Sequence, residues 1–205
     1  MNNSDITAIA SWLGTGSINL FGLPYAGKDL HGRELADFFH APPVLSGGHI
    51  LRNSHIPQHV KVQMEAGFLA PTDEFIEIVT PYLSSPEFQG KPLILSSVGR
   101  WIGEEQGVIQ ALEASQHPLK AVIFLNIDKN TMLQRWEKSQ EEQDRGSRAD
   151  DAAHLIDTRY EEFQTKTLPV IDFYRQAGLL IEIDSRIPKA EVTQIILAEL
   201  LKKTA

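Results

Sequence analysis

Four short apolar runs limit what this chain can become. Residues 18–23, 92–97, 121–127 and 179–184 are each of strand length, rich in Ile, Leu, Val or Phe, and apolar on both alternating faces. A strand that is apolar on both faces needs cover on both, which is how a parallel sheet buried between helices reads. A fifth, shorter run lies at 44–46. Helical patterns fall between the runs, at 28–40, 58–66, 73–83, 104–114, 130–138, 152–177 and 189–203. Strand and helix in alternation predict an α/β sandwich with right-handed crossovers. Ahead of the first run, residues 4–13 put Ile6, Ile9, Trp12 and Leu13 on one stripe, a helix for the outside of the sheet. One stretch breaks the pattern. Residues 137–151 (EKSQEEQDRGSRADD) are polar and densely charged around Gly146, and read as a surface excursion, either a solvated loop or a functional one.

At 205 residues the chain can bury about 70% of its unfolded surface as a single domain without staples. A hydrophobic share of 42% with 22% charged residues excludes disorder, collagen and coiled coil. Nineteen Lys and Arg against 27 Asp and Glu leave a net charge of −8. That argues against nucleic acid or an anionic membrane as the main partner, while a local basic pocket can still take phosphate. There is no cysteine, so disulfides, thiolate zinc sites and Cys nucleophiles are excluded together. No run approaches the roughly 18 apolar residues of a membrane helix. Residues 1–16 hold no Lys or Arg and no long apolar core. A soluble, cytoplasmic protein is the expectation.

Directly after the first run comes G-L-P-Y-A-G-K at 22–28, followed by Asp29, Leu30 and a helical pattern. G-x-x-x-x-G-K between a strand and a helix is a phosphate cradle: glycines let backbone N–H groups converge, the helix N-terminus adds positive dipole, and the lysine adds a full charge. A turn that merely joined strand to helix would need neither the spacing nor Lys28. Gly22, Pro24, Tyr25, Ala26, Gly27, Lys28, Asp29 and Leu30 are therefore the candidate ATP-phosphate residues. The hydroxyl residue that usually follows the lysine and reaches Mg²⁺ is replaced by Asp29. A carboxylate beside phosphates is repulsive unless a cation lies between them, so Asp29 is either a metal-side ligand or a mark of weakened catalysis.

Further motifs follow in order. They are L-S-G-G-H-I-L-R at 45–52, M-E-A-G-F-L-A-P at 64–71 and L-S-S-V-G-R at 95–100. T-M-L-Q-R at 131–135, R-A-D-D at 148–151, R-Y-E-E at 159–162 and L-P-V-I-D-F-Y at 168–174 complete the series. With the phosphate loop, they resemble the adenylate kinase family of nucleoside monophosphate kinases over residues 17–203. The resemblance implies a three-layer P-loop fold on a five-stranded parallel sheet. Its core would be 17–46, 77–136 and 152–205, with an N-terminal extension at 1–16, a small helical acceptor-binding insert at 47–76 and a short lid at 137–151. It further implies Mg²⁺-dependent transfer of the ATP γ-phosphoryl group to a nucleoside monophosphate, by a monomer. Lys28, Arg135, Arg148 and Arg159 would be the catalytic residues, Arg135 also binding ATP. Gly47, Arg52, Leu69, Arg100, Glu104, Arg148 and Arg159 would hold the acceptor. Guanidinium groups suit such work, being planar, permanently charged and bidentate toward phosphate.

Several family residues are replaced. The Asp of D-G-F-P-R is Ser96, that of S-T-G-D is His49, the second lid arginine is Ser139, and the Thr beside the acceptor base is Gly47. Losing preorganised charge slows transfer while leaving binding possible. A nucleotide-binding pseudokinase is thus the second reading, and a sugar or shikimate-like kinase on the same fold is the third. Glu104 stands where the family's adenine-reading Gln would be, with Gln106 two residues on. A carboxylate accepts but does not donate to adenine N1, so the acceptor base stays open between AMP and another nucleotide. His55 and His59 at i, i+4, with His49 nearby, imitate a metal face, but Pro57 between them argues against zinc. No G-x-S-x-G elbow is present for a hydrolase.

Overall fold

The computed structural model describes residues 2–142 and 153–204. Five strands, β1 (Ser17–Gly22), β2 (Leu45–Ser46), β3 (Leu93–Ser96), β4 (Leu119–Asn126) and β5 (Leu180–Asp184), form one sheet in the order β2-β3-β1-β4-β5. Every pairing is parallel. β1 is the centre, with Leu20 beside Ser96 of β3 and Ile123 of β4, and all six of its residues are buried. Burial on both faces is what its largely apolar run, Asn19 apart, demanded.

Among the described residues, ten α-helices surround the sheet: α1 (Asn3–Leu13), α2 (Lys28–Phe39), α3 (Gly47–Asn53), α4 (Gln58–Glu65), α5 (Thr72–Tyr82), α6 (Glu104–Ala114), α7 (Lys129–Glu142), α8 (Ala153–Glu162), α9 (Leu168–Gln176) and α10 (Lys189–Lys202). None of the described helices is long and apolar enough to cross a membrane. The apolar interior forms two clusters. One packs α1, α2, α9 and α10 on β1, β4 and β5 through Leu13, Leu20, Leu35, Val170 and Ile196. The other joins α3 to α6 with β2 and β3 through Leu51, Val60, Phe75, Leu95 and Val108.

Three local features depart from the sequence pattern. α3 shows no apolar period, yet Ser46 caps it by accepting the His49 N–H at 3.1 Å. The pattern at 152–177 is broken by a π-helical turn at Phe163–Thr167. Pro169 at the start of α9 lacks an N–H and would crowd the carbonyl four residues back, and the wider turn relieves that conflict. α7 continues to Glu142, six residues into the segment read as a surface excursion, while the rest of that segment, Arg148 included, lies outside the described residues.

One buried amide fixes the loop after β3. Asn19, fully buried in β1, donates to the Val98 carbonyl at 2.7 Å and accepts the Val98 N–H at 3.3 Å. The near-isosteric Asn19→Leu leaves both backbone groups buried and unpaired, so stability in urea titrations should fall by about 2–4 kcal/mol. An unchanged unfolding midpoint would show that this bridge does not hold the loop.

Candidate active site

The loops following β1, β3 and β5 meet at the C-terminal edge of the sheet, where open α/β folds gather their ligands. The first is the phosphate loop. A Cβ at Gly22 would lie 2.7 Å from the Leu125 carbonyl oxygen, and Gly27 caps α2 at a φ of +99° with the His31 ring close beneath it. Tyr25 also holds a left-handed backbone, at a φ of +64°. Lys28 Nζ donates to the carbonyls of Gly22 at 2.8 Å and Leu23 at 2.9 Å. Arg135, from α7, donates to the Tyr25 carbonyl at 3.2 Å and to that of Ser185, whose hydroxyl donates to Ala26 O at 2.9 Å. The carbonyls of residues 22, 23, 25 and 26 thus each accept from a cation or hydroxyl rather than presenting bare oxygens to an anion. Burial holds Arg135 below the usual arginine range.

A cleft of about 1170 Å³ opens beside this loop. Tyr25, Ala26, Gly27, Asp29 and Leu30 line it, as do the cations Arg33, Arg135, Lys138 and Lys189. His49 and Ser139, two of the replaced family positions, face the same cleft. Another of the four, Ser96, donates its hydroxyl to Asp29 Oδ1 at 3.3 Å. His31 is buried under the loop, its Nδ1 2.8 Å from Thr193 Oγ1 on α10, and burial lowers its pKa, which favours the neutral ring. His59 is paired with Glu74 at 2.9 Å, and among the described residues no three His, Asp or Glu side chains come together as a metal site.

A second, tighter cavity of about 80 Å³ lies between α3, α6 and α8. Gly47, Arg52, Leu69, Arg100, Glu104 and Arg159, picked from motifs up to 112 positions apart (159 − 47), all line it. Arg52 lies across Gly48, its guanidinium 3.3 Å from where a Cβ would stand there. The space a larger residue would need at Gly47 is taken by Phe75, whose ring is 3.0 Å from the Cβ position. Gln106 is exposed and does not line the cavity, so Glu104 alone of the two candidates stands in it.

Sequence reasoning missed the pieces that hold this cavity together. Glu162 accepts the Leu69 N–H at 3.0 Å and pairs with Lys166 at 2.8 Å. The Lys166 ammonium sits 3.8 Å from the centre of the Trp101 ring. Gly67, at a φ of +87°, lets the turn approach the Arg159 stem. Ser185 was missed as well. The available signal was its place directly after the last strand, at the edge where the sheet gathers its site.

Glu104 is 2% exposed, and its Oε2 accepts the N–H groups of Arg100 at 2.8 Å and Trp101 at 3.0 Å. Burial is the larger influence and raises its pKa from 4.5 to about 7, against the pull of those donors and of the Arg100 charge. A carboxyl whose pKa is higher folded than unfolded gives its full stability below 4.5 and loses it as pH rises through about 7. The loss is about 3 kcal/mol. Glu104→Gln keeps the acceptor oxygen and removes the titration. Between pH 5 and pH 8 the variant should lose markedly less stability than the parent in urea, and parallel declines would refute this assignment.

Comparison with known proteins agrees with this geometry. The family model for adenylate kinase matches residues 20–179, spanning β1 through α9. Three curated relatives are adenylate kinases. That of Methylobacterium nodulans is 30% identical over 87% of this chain and 93% of its own length. Those of Leifsonia xyli subsp. xyli and Cyanothece sp. are 29% and 27% identical, over 90% and 85% of this chain and 92% and 89% of theirs. A phosphate loop and an arginine-lined cavity on one sheet edge, within a sequence matched along nearly its whole length, place the chain in the adenylate kinase family of nucleoside monophosphate kinases.

Proposed function

We propose that the chain carries out its family's reaction, passing the γ-phosphoryl group of ATP to a nucleoside monophosphate, with ATP in the large cleft and the acceptor in the small cavity. The convergence of the phosphate loop and of Arg52, Arg100 and Arg159 on one sheet edge carries this reading. Phosphoryl transfer passes through a loose transition state with charge spread over the equatorial oxygens, so the protein's task is positioning and neutralisation. Lys28 exchanges its two loop carbonyls for phosphate oxygens, and Arg135 steadies the loop from behind. Arg52 and Arg100 hold the acceptor phosphate. Arg159, with Arg148 from the short lid at 137–151, gathers around the group in transit. The insert at 47–76 binds the acceptor, and the short lid keeps water out to prevent hydrolysis. The protein acts as a cytoplasmic monomer.

The residues present fit Mg²⁺ brought in with ATP. Asp29 supplies hard oxygen beside the phosphate loop, and the Ser96 hydroxyl on Oδ1 keeps the carboxylate there. When bound, the ion neutralises the β- and γ-phosphate oxygens. Asp29 thereby takes over from α2 the carboxylate duty that β3, with Ser96, no longer supplies.

The test is chromatography of nucleotides after incubation with Mg-ATP and each of AMP, GMP, CMP, UMP and dTMP, beside a Lys28→Ala sample. ADP with one matching diphosphate, reduced by about 10²-fold or more in the variant, is expected. ATP binding without product at high protein concentration would overturn the transferase reading in favour of a nucleotide-binding pseudokinase. In a magnesium titration, Asp29→Ala should require several-fold more Mg²⁺ for half-maximal rate, and an unchanged requirement would remove Asp29 from the metal side.

A further inference from the structure

Among the described residues, Glu104 is the one acidic side chain lining a cavity whose other charged groups, Arg52, Arg100 and Arg159, are all cations. Three guanidinium groups match a phosphate, which leaves Glu104 for the base. Both of its hydrogen bonds to the protein land on Oε2, and among the described residues Oε1 carries none. Nothing else lining the cavity offers a second carboxyl, hydroxyl or amide side chain apart from Ser97.

N1 of a purine is a chemical opposite in the two common series. A 6-oxopurine such as guanine or hypoxanthine presents N1–H, a donor; a 6-aminopurine presents a lone pair, an acceptor. Ionised, Oε1 accepts from the first; protonated, it donates to the second. We propose that Glu104 reads N1 of the acceptor base and that its proton decides the base: a 6-oxopurine monophosphate meets the carboxylate, a 6-aminopurine monophosphate the acid. This rests on the small cavity being the acceptor site.

The surroundings leave both forms accessible. Toward ionisation act the two backbone N–H groups and Arg100 on the loop after β3; Arg52 on α3 and Arg159 on α8 line the same cavity and add positive charge. Against it act burial, and Glu105 on the same helix. Tyr174 on α9, held neutral by burial well above its ordinary range, interacts with both glutamates. α5 contributes apolar groups, Phe75 in the cavity and Ile76 against Gly107. The balance puts the titration at about 7.

The two nucleotides then differ by one proton in the form they bind, so the ratio of kcat/KM for AMP to that for GMP should fall by about tenfold per pH unit from pH 6 to pH 8. Taking the ratio cancels titrations common to both reactions, including the acceptor phosphate. Glu104→Gln retains an oxygen for the Arg100 and Trp101 N–H groups, so the fold is kept, and its ratio should not vary with pH. A flat ratio in the parent, or a slope that survives in Glu104→Gln, would overturn the proposal. Calorimetry in two buffers of different ionisation enthalpy supplies an independent reading without turnover: AMP binding should take up a proton and GMP binding release one. If that exchange is seen without any diphosphate product, the proposed transfer reaction fails and the reading of the base stands. If product forms without the exchange, the reverse holds.

Discussion

A chain with a net charge of −8 can hold a polyphosphate only if cations are drawn to one place and backbone carbonyls are kept from facing the anion. The end of β1 meets both conditions. Lys28, Arg135 and Ser185 cover the loop's carbonyl oxygens, and Arg33, Lys138 and Lys189 stand along the adjoining cleft. β1 is in turn buried along its whole length, so the loop starts from the central strand of the sheet. Asn19 extends that rigidity sideways to Val98, two residues before Arg100. One central strand thus sets the position of the loop at 22–28 and of the loop that carries Arg100.

The small cavity between α3, α6 and α8 is organised differently. Its cavity is closed by contacts among elements far apart in sequence: Leu69 with Glu162, Lys166 with Trp101, and Gly67 with the stem of Arg159. α3 and α4 share a core with β2, β3 and α6, so the floor of this cavity is continuous with the sheet. The ion pair of Glu162 and Lys166 is largely buried, and the carboxylate's backbone contact at Leu69 belongs to the same network. Such networks fix geometry more than they add stability.

Most of the frame could be read from the sequence because buried strands write themselves as largely apolar runs, and all five runs became strands, although β5, with Glu182 and Asp184 exposed, is buried on one face only. The strand–loop–helix arrangement around 22–28 was equally legible, since its spacing and its place after β1 follow from local backbone requirements. What was not legible is tertiary. α3 hid because two glycines and a cap carry no apolar period. Ser185 and Glu162 are single polar residues whose roles exist only once distant segments meet. The choice between Glu104 and Gln106 needed the direction of α6 to be known, and the structure puts one in the cavity wall and the other in solvent. The length of the charged excursion was overread at its start, because six of its polar residues suit an exposed helix as well as a loop.

The π-helical turn at Phe163–Thr167 carries a consequence for sequence change. One extra residue in a helical path turns everything before it by about 100° relative to everything after it. That offset lets α8 bring Arg159 to the small cavity and Glu162 to the Leu69 N–H while α9, which follows directly in sequence, buries Val170, Ile171 and Tyr174 against the sheet. The segment therefore behaves as a phase setter. Substitutions within it act through local packing and, at Lys166, through its contacts with Glu162 and Trp101, but a single-residue insertion or deletion rotates one face of the molecule out of register with the other. Length, beyond the identity of Lys166, is the quantity this part of the chain has to conserve.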